Sequence, residues 1–291
     1  MPGQGTPTRK GPAAGGGMIR GVRGARKTGG VGFGLTLALL VASSSVDAGV
    51  TCFGEPATIV RGPGNDMVQG TQGRDVIFTG GGDDYVAGGG GDDLICVGDG
   101  DDFVDGGKGD DNIDGGDGRD ELHGYNGDDR ILGGAGRDFL DGRRGHDLDV
   151  LIGGAGNDRM LGGVRLKGGA GNDRLISTSY ATSRRVDHVV GGDGDDVLRA
   201  DGDGPLGDIL IGSDGDDRLR GNRNDDELRG GAGDDELQGG AGDDSLDGGP
   251  DTDTCDQGTG TGPVVRCELV RLGNGRGRER SPSPAADAGR A

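Results

Sequence analysis

Along most of this chain one aliphatic residue returns every ninth position, two residues after an aspartate and just past a run of glycines. Nine such rows run without a break from Arg61 to Asp141. Their aliphatic residues are Val68, Ile77, Val86, Ile95, Val104, Ile113, Leu122, Ile131 and Leu140. The matching acids are Asp66, Asp75, Asp84, Asp93, Asp102, Asp111, Asp120, Asp129 and Asp138. The row reads Gly-Gly-x-Gly-x-Asp-x-aliphatic-x, cleanest in GGAGDDELQ from Gly230 and GGAGDDSLD from Gly239. Glycine accepts positive φ, so the first six residues of each row are built to turn sharply. The last three are β-prone, with the central side chain pointing one way and its neighbours the other. Two rows then make an eighteen-residue coil with a strand on each side. Coils stack as parallel strands about 4.8 Å apart around a thin double ladder of Val, Ile and Leu.

The middle of the array, 142–211, is less regular. The row from Gly142 is two residues too long, so Asp147 keeps the earlier register and Asp149 the later one. Asp158 and Asp173 sit in good rows, separated by a six-residue fragment from Gly162 to Lys167 that has no acid at the key place. Ser177 to Ala181 reads as an insertion. Thr182 to Val190 keeps Asp187 and Val189 without its glycines, and a poor row holds Asp208. Asp196 precedes that row, and Asp217, Asp226, Asp235, Asp244 and Asp253 restore the period after it.

Composition changes the picture in two ways. The chain has 72 glycines and 10 prolines among 291 residues, a richness that without a period would indicate disorder. A period of nine indicates a repeat architecture instead, and excludes collagen, whose glycine recurs every third residue. The charge is uneven. Residues 1–48 carry +5 and 273–291 carry +2, so the total of −20 leaves −27 on residues 49–272. Such a field repels nucleic acid and anionic membrane surfaces and attracts cations.

The first 48 residues read as an export signal, with Met18 as an alternative start. Arg20, Arg23, Arg26 and Lys27 form a basic region, Val31 to Ala42 an apolar stretch, and Val46-Asp47-Ala48 a small-residue cleavage pattern. Residues 49–60 and 257–272 are expected to cap the array, and 273–291, patternless Arg, Pro, Ser and Ala, to form a disordered tail. Cys52, Cys96, Cys255 and Cys267 are an even set, which in an exported chain favours two disulfides. Three pairings are possible. Cys52–Cys96 and Cys255–Cys267 are preferred, since each then lies at one end of the array. No CxxC exists and His123, His146 and His188 are scattered, which argues against zinc.

Stacking sets the acids in line, about one strand spacing apart. Unit charges ~5 Å apart repel by roughly 3 kcal/mol at an effective dielectric near 20. The penalty repeats along both edges, with only one aliphatic side chain per glycine-rich row to oppose it. A divalent ion between coils turns repelling carboxylates into shared ligands. Calcium suits an all-oxygen set of carboxylates and carbonyls in loose geometry; magnesium demands a tighter octahedron, and transition metals want His or Cys.

The pattern resembles the hemolysin-type calcium-binding repeat, the RTX nonapeptide, over residues 61–256. The resemblance implies an all-β fold: a parallel β-roll, a right-handed solenoid of nonapeptide repeats, here with disulfide-capped ends. It implies several calcium ions held between adjacent turns by aspartates and turn carbonyls. Carried over only to matching rows, the ligands are Asp66, Asp75, Asp84, Asp93, Asp102, Asp111, Asp120, Asp129, Asp138, Asp158, Asp173, Asp196, Asp217, Asp226, Asp235 and Asp244. Asp187 and Asp208 stand apart because their turns have lost most of the glycines.

The expected function is an exported, non-catalytic calcium-binding roll that folds on meeting extracellular calcium. No HExxH or GxSxG occurs, and the side chains gathered at Tyr180, Arg184, Arg185 and His188 read as cover for an irregular coil. Two further roles fit: a surface or matrix protein joined to wall polymer or to other copies through shared calcium, and an accessory module of a separate secreted enzyme.

Overall fold

The computed structural model describes residues 49–143, 148–178, 185–202 and 204–271. Within them the chain winds into a roll of two parallel sheets, each of twelve strands. Successive strands alternate between the sheets. Sheet I begins with Ile59–Val60, Val76–Gly81 and Leu94–Asp99 and ends with Val264–Val265. Sheet II begins with Met67–Gln69, Tyr85–Ala87 and Phe103–Lys108 and ends with Leu269–Arg271. Each coil therefore spends one row on each sheet, as the nine-residue period predicts.

The register is set by the aliphatic column. In sheet I, Ile77 pairs with Ile95, which pairs with Ile113. In sheet II, Val86 pairs with Val104, which pairs with Leu122. These inward residues are fully buried and join one continuous core. The irregular middle keeps the same column: Ile131, Leu151, Leu166, Val189 and Leu210 pair in succession. The column holds because a one-residue slip within a strand would turn every inward side chain outward; a register shift does occur between Asp141 and Arg143, but past the inward Leu140. The fragment containing Lys167 thus forms a full strand, Arg165–Ala170, with Leu166 inward.

Both ends differ in detail from the expectation. The disulfides are Cys52–Cys96 and Cys255–Cys267. The first does not plug the open end of the core. Cys52 lies in a small hairpin, Thr51–Cys52 with Glu55–Pro56. That hairpin packs with Ala57 against Val76, Leu94, Phe78 and Cys96, which flank the inward column of sheet I. It therefore clasps the outer face of the first coils. At the other end Cys255 and Cys267 both belong to the core column. The sheets also run past 256, since Val264–Val265 and Leu269–Arg271 add a last rung to each. The leading segment 1–48 and the tail 273–291 lie outside the described residues.

Glycine is required where coils press together. Gly134 has φ +110°, and a Cβ there would stand 2.0 Å from the carbonyl oxygen of Gly116 in the coil before. Gly73 has open space around its Cβ position and no positive φ. Gly134→Ala is expected to lower stability in calcium by at least about 1–3 kcal/mol, and Gly73→Ala to leave it within about 0.5 kcal/mol. Denaturant unfolding of the two variants checks this; equal effects would mean the coils are not packed this closely.

Candidate metal centre

Each row delivers its aspartate to the junction of turn and strand. There the side chain folds beneath the turn and is buried: Asp93, Asp111, Asp196 and Asp244 are 0% exposed. One carboxylate oxygen, Oδ1, accepts the backbone N–H of the corresponding residue one coil earlier. On the sheet II edge this ladder is unbroken. It links Asp66, Asp84, Asp102, Asp120, Asp138, Asp158, Asp173, Asp196, Asp217, Asp235 and Asp253, and Glu268 completes it, all at 2.6–2.9 Å. On the sheet I edge it runs from Asp75 through Asp93, Asp111 and Asp129 to Asp149, then resumes from Asp187 through Asp208 and Asp226 to Asp244. Val164 occupies the acid's place between them, and its N–H donates to the Asp149 carbonyl instead.

These contacts settle the ambiguous rows. Asp149, not Asp147, stands in the ladder, and Asp147 lies outside the described residues. Asp208 occupies the ladder as fully as the acids of intact rows, and Asp187 enters it through its N–H, because the strands fix their place even where the turn has lost its glycines. Asp253 also belongs.

The second oxygen, Oδ2, separates the rows. In Asp84, Asp93, Asp102, Asp111, Asp120, Asp138, Asp158, Asp173, Asp196, Asp217, Asp235, Asp244 and Asp253 it is buried with no hydrogen-bond donor. Such an atom normally costs about 1–3 kcal/mol, more when charged. In three other rows it is already satisfied. Asp75 Oδ2 accepts Thr71 N–H at 2.7 Å and its hydroxyl at 2.9 Å. Asp226 Oδ2 accepts Asn222 N–H at 2.7 Å, and Asp208 Oδ2 accepts the Asn222 side-chain amide at 2.8 Å. Thr71 and Asn222 replace the second glycine of their rows. That glycine has positive φ in regular rows, as at Gly89, Gly98 and Gly116, where its N–H is not offered to the carboxylate.

Beside the free oxygen lie a glycine carbonyl of the next coil and, slightly further off, the inward aliphatic side chain. A Cβ at Gly88 would lie 2.7 Å from Asp93 Oδ2 and 2.5 Å from the Gly106 carbonyl of the next coil. At Gly115 the corresponding distances, to Asp120 Oδ2 and the Gly133 carbonyl, are 2.5 and 2.6 Å. Carboxylate and carbonyl oxygens from neighbouring coils thus converge beside the first glycine of each row. Among the described residues no group of three His, Cys, Asp or Glu side chains gathers in one place. A cation here must draw on backbone carbonyls as well as carboxylates, which suits calcium and not zinc.

Sequence reasoning passed over a second ladder. In many rows the residue before the ladder acid also bonds between coils, in the opposite direction and exposed to solvent. Asp101 N–H donates to Asp83 Oδ1, Asp110 to Asp92, Asp128 to Asp110, Asp216 to Asp195 and Asp234 to Asp216. Its signal was present in the recurring Gly-Asp-Asp and Gly-Asn-Asp, although in the nine unbroken rows the fifth position also admits Arg74, Arg119 and Arg137 where the sixth is always Asp.

Comparison with known proteins agrees with this geometry. The profile of the RTX calcium-binding nonapeptide repeat (4 copies) matches residues 61–95, 97–122, 114–148, 149–164, 165–178, 183–203, 204–237 and 220–255. No curated protein matches the chain.

Burial, followed by the charge of neighbouring acids, holds the metal-free carboxyls well above their ordinary 3.8. Asp111 is pushed up to about 8, Asp120, Asp173 and Asp217 to about 7, and Asp93, Asp138 and Asp235 to about 6. The backbone N–H of the coil before opposes the shift in each. A carboxyl whose pKa is raised on folding stabilises the fold when protonated. That contribution is complete below the unfolded value and is lost as pH rises through about 6 to 8. In EDTA, far-ultraviolet circular dichroism is expected to show more β structure near about pH 5 than near about pH 8. In calcium the order reverses, because the ion needs ionised ligands. A metal-free signal independent of pH would contradict it.

Proposed function

Because the chain belongs to the RTX calcium-binding nonapeptide repeat family, we propose that it is an exported protein whose roll is completed by several calcium ions held between successive coils, with no chemistry of its own to perform. The buried, donorless Oδ2 atoms carry this reading. A fold that places thirteen such atoms in two lines is short of positive charge at the positions where the family takes up calcium. The bound ion supplies that charge, and the turn carbonyls supply the rest of its shell.

The ligand set follows the second oxygen. Asp84, Asp93, Asp102, Asp111, Asp120, Asp138, Asp158, Asp173, Asp196, Asp217, Asp235 and Asp244 are assigned as ligands, with Asp253 added to those the spacing picks out. Asp75 and Asp226 are weaker candidates, because a backbone N–H already occupies the oxygen a cation would use. Asp66 and Asp129 keep the place in their ladders that the spacing gives them. Two disulfides and a basic, then apolar leader fit an oxidising destination outside the cell.

A calcium titration followed by circular dichroism is expected to show a cooperative gain of β signal at neutral pH, with several ions bound per chain at its end point. No change at any calcium concentration would refute the coupling of binding to folding. Asp235→Ala is expected to raise the calcium midpoint by roughly tenfold, or about 1.4 kcal/mol, and Asp208→Ala by distinctly less, since Asn222 already satisfies the oxygen lost there. Equal shifts would mean that the second oxygen does not decide which acids bind.

A further inference from the structure

Resting on the calcium reading, we propose that one edge of the roll carries a binding site for an acidic sugar, a sugar ring bearing a carboxylate or sulfate. The site is a groove of about 530 Å³ on the sheet II side, lined by Phe103, Arg119, Glu121, Arg137, Phe139 and Arg159, together with the exposed Asp101 and the buried ladder acids Asp102, Asp120 and Asp138.

The arginines break the pattern of their own column. Going up this edge the fifth position of each row is Asn65, Asp83, Asp101, Arg119, Arg137, Asn157 and Asn172. Two acids or amides that would extend the exposed ladder are thus replaced, in adjacent coils, by cations. Arg119 keeps only the backbone half of the contact, its N–H donating to Asp101 Oδ1 at 3.0 Å. Some arginines of this acidic chain find carboxylates, as Arg74 meets Glu55, Arg218 meets Glu236 and Arg266 meets Asp247, while Arg130, Arg165, Arg174 and Arg220 show no ion pair among the described residues. Among the described residues the side chains of Arg119 and Arg137 meet none. Two exposed arginines at the same position of adjacent coils, both lining one groove, suit an oxyanion.

The rest of the groove narrows the ligand. Glu121 stands in register between Phe103 and Phe139. One of its oxygens is held by His123 Nε2 at 3.0 Å, and the side chain is 55% exposed, so the other can accept from a hydroxyl. Phe103 stacks on Tyr85 from the coil before at 5.1 Å, and Phe139 carries Arg159 from the coil after at 5.4 Å. The apolar walls left for the C–H face of a sugar ring are therefore the sides toward Glu121, with His123 packed against both rings. A simple inorganic anion would use the forks alone. A neutral sugar would use the walls and Glu121 alone. An acidic sugar uses all three. In the metal-free chain the ladder acids of the groove oppose an anion, and calcium bound there removes that opposition.

Calorimetry on the full chain in millimolar calcium tests the assignment. The probes are a uronic acid trisaccharide, a sulfated trisaccharide, a neutral trisaccharide and inorganic sulfate. The first two distinguish the source of the oxyanion, and measurable binding of either supports the site. The neutral sugar and inorganic sulfate are expected to bind at least about tenfold more weakly. Arg119→Asn with Arg137→Asn puts back the residue type found at Asn157 and Asn172, so the calcium-induced β signal should survive while affinity falls by about tenfold or more. Undiminished binding by that variant would assign the sugar to a calcium bridge elsewhere and overturn the site. Tight binding of neutral sugar or of sulfate alone would overturn the ligand class. A wild-type chain that orders in calcium yet binds neither acidic sugar sinks the site and leaves the calcium reading standing. Binding that needs no calcium-induced order keeps the site and sinks the coupling.

Discussion

Everything in this chain depends on setting aspartates one above another at the spacing of a β-ladder. One oxygen of each carboxylate serves the fold directly, since it takes the N–H of the coil before. The other is the difficulty. It is buried, mostly without a donor, and lies close to glycine carbonyls that are themselves electron-rich. The glycines make the arrangement possible and also make it costly. They allow coils to approach until no Cβ would fit, and ordering a glycine backbone loses more entropy than ordering any other. The aliphatic column fixes register but is only one side chain deep. A roll built this way is held together along its edges at least as much as through its middle.

Much of this was legible from spacing alone. A nine-residue period with one aliphatic residue per row allows little besides a two-row coil, and the disulfide pairing followed from where the array begins and ends. What escaped was local. Asp208 and Asp187 look orphaned in sequence because their glycines are missing, yet the paired strands carry them into place. Asp75 and Asp226 look ideal, but Thr71 and Asn222 replace a positive-φ glycine and turn an N–H onto the carboxylate. Position in a repeat reports where a side chain goes. It does not report what else has reached it first. The N-terminal hairpin was missed for a related reason: nothing in residues 49–60 indicates whether they cover an end or a face, and Cys96 decides it by pointing outward from sheet I.

The two edges are not equivalent. The sheet II edge carries an acid at every coil, with Glu268 closing the series, whereas the sheet I edge is interrupted at Val164. The shortened row falls in that part of the chain, and the aliphatic column passes through it undisturbed. Irregularity is tolerated in this roll, even as a register shift between Asp141 and Arg143, so long as the inward aliphatic column stays paired.

The inner acids reach toward the coil before them, and the exposed acids beside them reach toward the coil after. Where both are present a junction is thus stitched twice, by side chains travelling opposite ways from neighbouring positions. No coil can complete its own inner bond; the acid that caps its backbone belongs to residues 15–23 further along. For a polypeptide emerging amino end first, each turn of the screw stays unlatched until the next has been delivered. Glu268, arriving last, is the final clasp of a vectorial assembly.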